Sequence, residues 1–126
     1  MKIEYREGLL FTEITIQYNG QRKVLKDIVI DTGASHTLLS QDAVDDIDIR
    51  VTRDDHFITS FGIGGEEHAF IKTVDSVEVG EYLINEMELD FTSFKHHNID
   101  GLLGLDILMK GSFIIDLFNL ELQRLQ

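Results

Sequence analysis

Ile28-Val29-Ile30 is followed at once by Asp31. Successive side chains of a strand point to opposite faces, so three apolar residues in a row require both faces to be covered. The strand carrying them therefore runs through a core, and it ends by delivering a carboxyl group to the rim of that core. Gly33 permits a tight turn and close backbone approach. The Asp31 carboxylate can accept a backbone N–H two residues ahead in an Asx-type turn. On these residues alone, Asp31-Thr32-Gly33 fits a structural turn as well as a catalytic loop.

The rest of the chain supplies a setting for that strand. Residues 9–18 are rich in Ile, Thr and Phe with alternation at Thr12, Ile14 and Ile16, the signature of a strand. Asn19-Gly20 then predicts a two-residue hairpin, because both central positions need positive φ, and the return strand runs over 22–30. Thr37-Leu38-Leu39 reads as a short strand. Ser40 is placed to cap a short helix over 41–46, with Ala43, Val44 and Ile47 on one face. Two hairpins are expected next: one with arms at 56–61 and 68–74, the other turning at Gly80-Glu81 between 77–79 and 82–84, its second arm prolonged by residues 87–91. Residues 101–105 predict a buried, glycine-interrupted strand. Asp106 is expected to cap a helical turn over 107–110 closed by Gly111, and 112–122 a last strand. The pattern predicts an all-β fold class, a small closed β-barrel or sandwich with two short helices.

A length of 126 residues suits a single domain spanning 1–126, and no linker composition interrupts it. Acidic residues number 23 against 11 basic, a net charge of −12. Such a surface repels phosphate backbones and anionic lipid, so neither nucleic acid nor membrane is an expected partner. No apolar run approaches the roughly 18 residues that cross a bilayer, and the start of the chain lacks the apolar stretch of a secretory signal. With no cysteine, disulfides, thiol catalysis and cysteine-ligated zinc are excluded, and a cytoplasmic location is expected.

Other motifs carry less. In Gly62-Ile63-Gly64-Gly65-Glu66-Glu67 an acid stands where a dinucleotide fingerprint needs its third glycine. Asp45, Asp46, Asp48, Asp54 and Asp55 lack the glycine and closing glutamate of a calcium loop. His36, His56 and His68 have no metal-ligand spacing, and His96-His97 on an extended segment point apart. No metal and no cofactor is expected.

Three features act together: the Asp31 loop with its small Ala34 and Ser35, the glycine-rich 62–65 segment, and Leu102-Leu103-Gly104-Leu105-Asp106-Ile107-Leu108 about 70 residues on from Asp31. In this order they resemble the retropepsin-like aspartic proteases, the family of retroviral proteases and their cellular relatives. Asp31-Thr32-Gly33-Ala34-Ser35 is similar to the family's active-site loop, and Gly62-Ile63-Gly64-Gly65 to the tip of its substrate-covering flap. Phe70-Ile71-Lys72 looks like the outgoing flap arm. Residues 102–108 resemble the segment packed beside the catalytic loop. The resemblance implies a small barrel and an endopeptidase in which Asp31 is catalytic. Many retroviral enzymes place an acid where Ser35 stands and a base where Leu105 stands. Here both are uncharged, which leaves no unpaired charge.

The chain has one Asp-Thr-Gly and no Asp-Ser-Gly. A water held between two carboxylates therefore implies a homodimer, with one Asp31 from each copy and an extended peptide or protein substrate under the flaps. The alternative is a non-proteolytic dimerisation or peptide-binding module that retains the fold.

Overall fold

The computed structural model describes residues 1–62, 65–95 and 98–125. Among these, the strands are β1 (Glu4–Arg6), β2 (Leu9–Tyr18), β3 (Gln21–Ile30), β4 (Leu38–Ser40), β5 (Phe57–Gly62), β6 (Gly65–Val79), β7 (Tyr82–Thr92), β8 (Gly101–Leu103), β9 (Phe113–Asp116) and β10 (Glu121–Arg124). One short helix, α1 (Leu105–Lys110), and a single 3₁₀ turn at Asp45–Ile47 complete them.

Eight strands form one mixed sheet in the order β1-β2-β3-β8-β4-β7-β6-β5. β2 pairs a second time, with β6 through Ile16↔Val77. That pairing closes β2, β3, β8, β4, β7 and β6 on themselves and removes their free edges. Ile14, Ile16, Leu25, Ile28, Leu39, Phe91 and Leu103 are buried inside. Phe70 stacks on Phe91 at 5.5 Å. The all-β class and the closed barrel are as expected from the strand pattern.

Local chemistry explains the tight turns. Asn19 and Gly20 take φ of 48° and 81°, as the β2–β3 hairpin requires. Glu7 and Gly8 do the same between β1 and β2, at 53° and 78°. The sheet's centre is non-local. β8 lies between β3 and β4, parallel to the first (Ile28↔Gly101, Ile30↔Leu103) and antiparallel to the second (Leu39↔Gly101). A Cβ on Gly101 would stand 2.7 Å from the Leu38 carbonyl oxygen, so only a bare backbone passes there.

Four expectations are corrected. The second helix, expected over 41–46, is the 3₁₀ turn: the Ser40 hydroxyl accepts the Ala43 N–H at 3.4 Å, but Asp48 closes the segment in the left-handed region. The two expected hairpins share one strand, because β6 runs unbroken for 15 residues, pairing first with β5 and then with β7. The last strand is a hairpin of its own, since Asp116 bonds the N–H groups of Phe118 and Asn119 and turns the chain back. Asp106 does not cap α1: Gly104 is the residue before the helix, and Asp106 lies in its first turn.

Candidate active site

β3 is buried on both faces at its end, with Ile28, Val29 and Ile30 all below a tenth exposed. Asp31 leaves that strand still hydrogen-bonded to its neighbour β8: its N–H donates to the Leu103 carbonyl at 3.0 Å. The Asp31 carboxylate accepts the Gly33 N–H at 2.9 Å, and the Ala34 N–H donates to the Asp31 carbonyl at 3.1 Å. The carboxylate is half-buried, while Thr32, Gly33 and Ser35 are exposed. One Asp31 oxygen is thus held from within the loop at a site open to solvent.

The loop is clamped by the segment leading from β8 into α1. Leu105 N–H donates to the Ala34 carbonyl at 2.8 Å, and Asp106 N–H to the Ser35 carbonyl at 3.2 Å. Gly104 lies flat against the same loop. A Cβ there would come within 2.8 Å of the Ala34 and His36 carbonyl oxygens. Residues 31–35 and 103–106 are therefore brought together, as the sequence pattern led one to expect.

Two further residues complete the clamp. Thr37 is 1% exposed. Its hydroxyl donates to the Asp106 carboxylate at 2.7 Å and accepts the Gly104 N–H at 3.1 Å, and its own N–H reaches the other Asp106 oxygen at 2.9 Å. Asp106 also accepts the Ile107 N–H at 2.8 Å. Sequence reading assigned Thr37 to a strand and Asp106 to a cap. The available signal was two hydrogen-bonding side chains beside runs of apolar residues, where each needs a partner. Nearby, burial pushes the Asp90 carboxyl above the usual range. His36 opposes this, and the charges of Asp106 and Glu88 add to it.

Gly62 and Gly65 face each other as the last pair of the β5–β6 hairpin. Ile63 and Gly64, the centre of the expected flap tip, and His96-His97 lie outside the described residues. At the base of this hairpin, Lys72 of β6 pairs with Asp55 at 3.1 Å, both side chains being nearly buried. Asp55 accepts the Thr52 N–H as well. Burial pushes the Asp55 carboxyl up, but the Thr52 N–H and the Lys72 ammonium outweigh it and hold the carboxyl low. Among the described residues no group of three or more His, Asp or Glu is arranged to hold a metal ion.

The profile of a family described as aspartyl protease matches residues 14–107, the stretch that contains both the Asp31 loop and its clamp. No curated protein sequence matches the chain. Among solved structures, the fold is similar to a retropepsin-like aspartic protease from Rickettsia conorii, with a TM-score of 0.67 and 21% identity over 91% of this chain and 82% of that one. It is also similar to the EIAV protease complexed with the inhibitor HBY-793, with a TM-score of 0.60 and 20% identity over 85% and 92% of the two chains. The retroviral protease-like domain of Ddi1 from Leishmania major gives 0.62 and 18% over 92% and 87%. At these identities the likeness is one of fold, and the fold is retropepsin-like.

Proposed function

The chain belongs to the aspartyl protease family, and from that membership we propose that two copies of it form an aspartic endopeptidase. The observation that carries the reading is the Asp31 carboxylate. It stands half-buried at the end of a doubly buried strand, oriented by the Gly33 N–H. The chain holds one such Asp-Thr-Gly loop, so the second carboxylate comes from a second chain related by a two-fold axis.

In the dimer the two Asp31 carboxylates face each other across a water. Like charges that close do not both ionise, so the pair keeps one proton. The ionised member takes a proton from the water as it attacks the peptide carbonyl, and the protonated member donates to the carbonyl oxygen. The titration belongs to the pair rather than to either residue. Thr32 bonds across the axis, Gly33, Ala34 and Ser35 carry the loop past it, and residues 62–65 close over an extended peptide whose backbone pairs with the hairpin. Residues 1–126 act as one domain with no metal or cofactor. A chain without cysteine suits a reducing compartment such as the cytoplasm.

Asp31→Asn is expected to abolish cleavage of a denatured protein substrate at acid pH while leaving a folded dimer by light scattering. Cleavage by the variant at the parental rate would remove Asp31 from the mechanism.

A further inference from the structure

Phe70 is the point at which β6 parts from β7. The β6–β7 ladder runs from Val79↔Tyr82 to Phe70↔Phe91, and the β5–β6 ladder from Phe57↔Phe70 to Gly62↔Gly65. From Phe70 to the tip, β6 among the described residues therefore pairs with β5 alone. A ribbon of two strands is marginally stable by itself, so it bends most easily where the third strand leaves it.

One contact carries the third strand past that point. The Thr92 hydroxyl donates to the His68 carbonyl at 2.6 Å. Backbone geometry explains why a side chain has to make this bond. Thr92 stands opposite Ser40 of β4, and its carbonyl accepts the Gln41 N–H at 2.8 Å. Its main chain is thus turned to β4 and away from β6. On β6, the Ile71 N–H donates to the His56 carbonyl at 3.0 Å. Residues of an antiparallel ladder alternate between bonding the partner strand and turning away from it. Ile71 and Ala69 therefore bond toward β5, while Phe70 and His68 turn their N–H and C=O groups to the β7 side. Phe70 meets Phe91 there, and the His68 carbonyl meets the Thr92 hydroxyl. A β-branched side chain has few rotamers, which holds that hydroxyl in place.

We infer, on the reading of residues 62–65 as the cover of the Asp31 site, that Thr92 is a positioning residue: its hydroxyl latches the β5–β6 hairpin at His68 and fixes where the hairpin bends. With the latch made, the projecting part of β6 runs from His68 to Gly65, about 10 Å at a strand's rise per residue. With the latch broken, the pivot retreats to Phe70 and the projecting part grows to about 17 Å. The same angular swing then carries the tip about 1.7 times as far, since the arc scales with that length. The Lys72–Asp55 pair does not prevent this, because Lys72 lies on the barrel side of Phe70.

The latch also joins the cover to the reacting loop. β4, which receives the Thr92 main chain, begins directly after Thr37. Thr37 binds Gly104 and Asp106, and Gly104 lies against the Ala34 and His36 carbonyls. A single three-residue strand thus stands between the group that holds the cover and the group that holds the Asp31 loop.

The test compares Thr92→Val, which keeps the shape and removes the donor, with Thr92→Ser, which keeps the donor. His68 is exposed, so water takes over its carbonyl in the valine variant and the fold survives, as circular dichroism checks. Amide exchange in that variant is expected to quicken about fivefold in the β5–β6 ladder on the tip side of Phe70, roughly the worth of one hydrogen bond, and to stay parental in the β6–β7 ladder. In peptide cleavage KM is expected to rise about fivefold with kcat changed less than about twofold, because the cover still closes over bound substrate but is less often in place. Serine is expected to restore both. Parental exchange and parental KM in the valine variant would overturn the inference. So would exchange that quickens evenly through the barrel, or a serine variant that behaves like valine. A parent chain that cleaves no peptide at any pH would instead remove the enzyme reading, and the exchange comparison would still decide whether Thr92 sets the bend.

Discussion

The Asp31 loop and the β5–β6 hairpin are both turns that carry glycine, and they are held in opposite ways. The loop is bound by backbone hydrogen bonds to Leu103, Leu105 and Asp106, and backed by the buried Thr37 and the Asp106 carboxylate. The hairpin projects from the barrel on a ladder of its own pairs, anchored at its base by Lys72 and Asp55. The difference follows what each is proposed to do. A carboxylate that activates water has to be held to within a fraction of an ångström, whereas a cover has to open and close.

The comparison is broken most severely at Gly104. Gly104→Ala drives a Cβ into three backbone atoms of the loop, each nearer than 3.0 Å, and neither backbone has room to give. The expected cost is about 3 kcal/mol, read by chemical denaturation, together with loss of cleavage. Thr37→Val comes next. It leaves the buried Gly104 N–H without its acceptor and Asp106 without its hydroxyl donor, at about 2 kcal/mol, with kcat falling more than KM rises because the loop is displaced.

The same test at the hairpin gives a smaller effect. Asp55→Asn removes the charge that pairs with Lys72 and costs about 1 kcal/mol near neutral pH. Its folded carboxyl is held low, so this stability is present above the ordinary Asp value of about 3.9 and is lost as pH falls through the folded one. The melting temperatures of variant and parent should converge in acid, and the variant's loss should show as faster amide exchange in β5 and β6 than around Asp31. The smallest expected change is a gain. Burial raises the Asp90 carboxyl, with His36 opposing and Asp106 and Glu88 assisting. Stability linked to that proton is full below the ordinary Asp value and is lost as pH rises through the folded one. Asp90→Asn should raise the melting temperature slightly at neutral pH and leave it unchanged in strong acid.

Much of this was legible where the cause is local. Asn19-Gly20 announces its turn because few residues accept positive φ twice in succession. Ile28-Val29-Ile30 announces a doubly covered strand. Glu7-Gly8 carried the same kind of turn signal less plainly, since glutamate is not a residue that favours φ of 53°. The unbroken β6 escaped notice because its two halves pair with different partners, and a pattern of alternation does not say which neighbour covers it. Asp106 looked like a cap because an acid before an apolar helical run usually is one. Its true partner, Thr37, is distant in sequence.

The sequence by itself determined that a buried strand would end in a carboxylate beside a glycine turn, because alternation, φ preference and side-chain chemistry act within a few residues. It also determined that the chain carries a single Asp-Thr-Gly, since that is a matter of counting motifs. Only the tertiary structure decided what holds the Asp31 loop still: β8 threaded between β3 and β4, Gly104 flat against the loop, and Thr37 locked to Asp106. Only the tertiary structure, too, brought the chain's own first residues onto β10, where Met1 and Leu122 exchange hydrogen bonds. These are contacts between distant segments, whose energies arise only once the barrel has brought them within hydrogen-bonding distance.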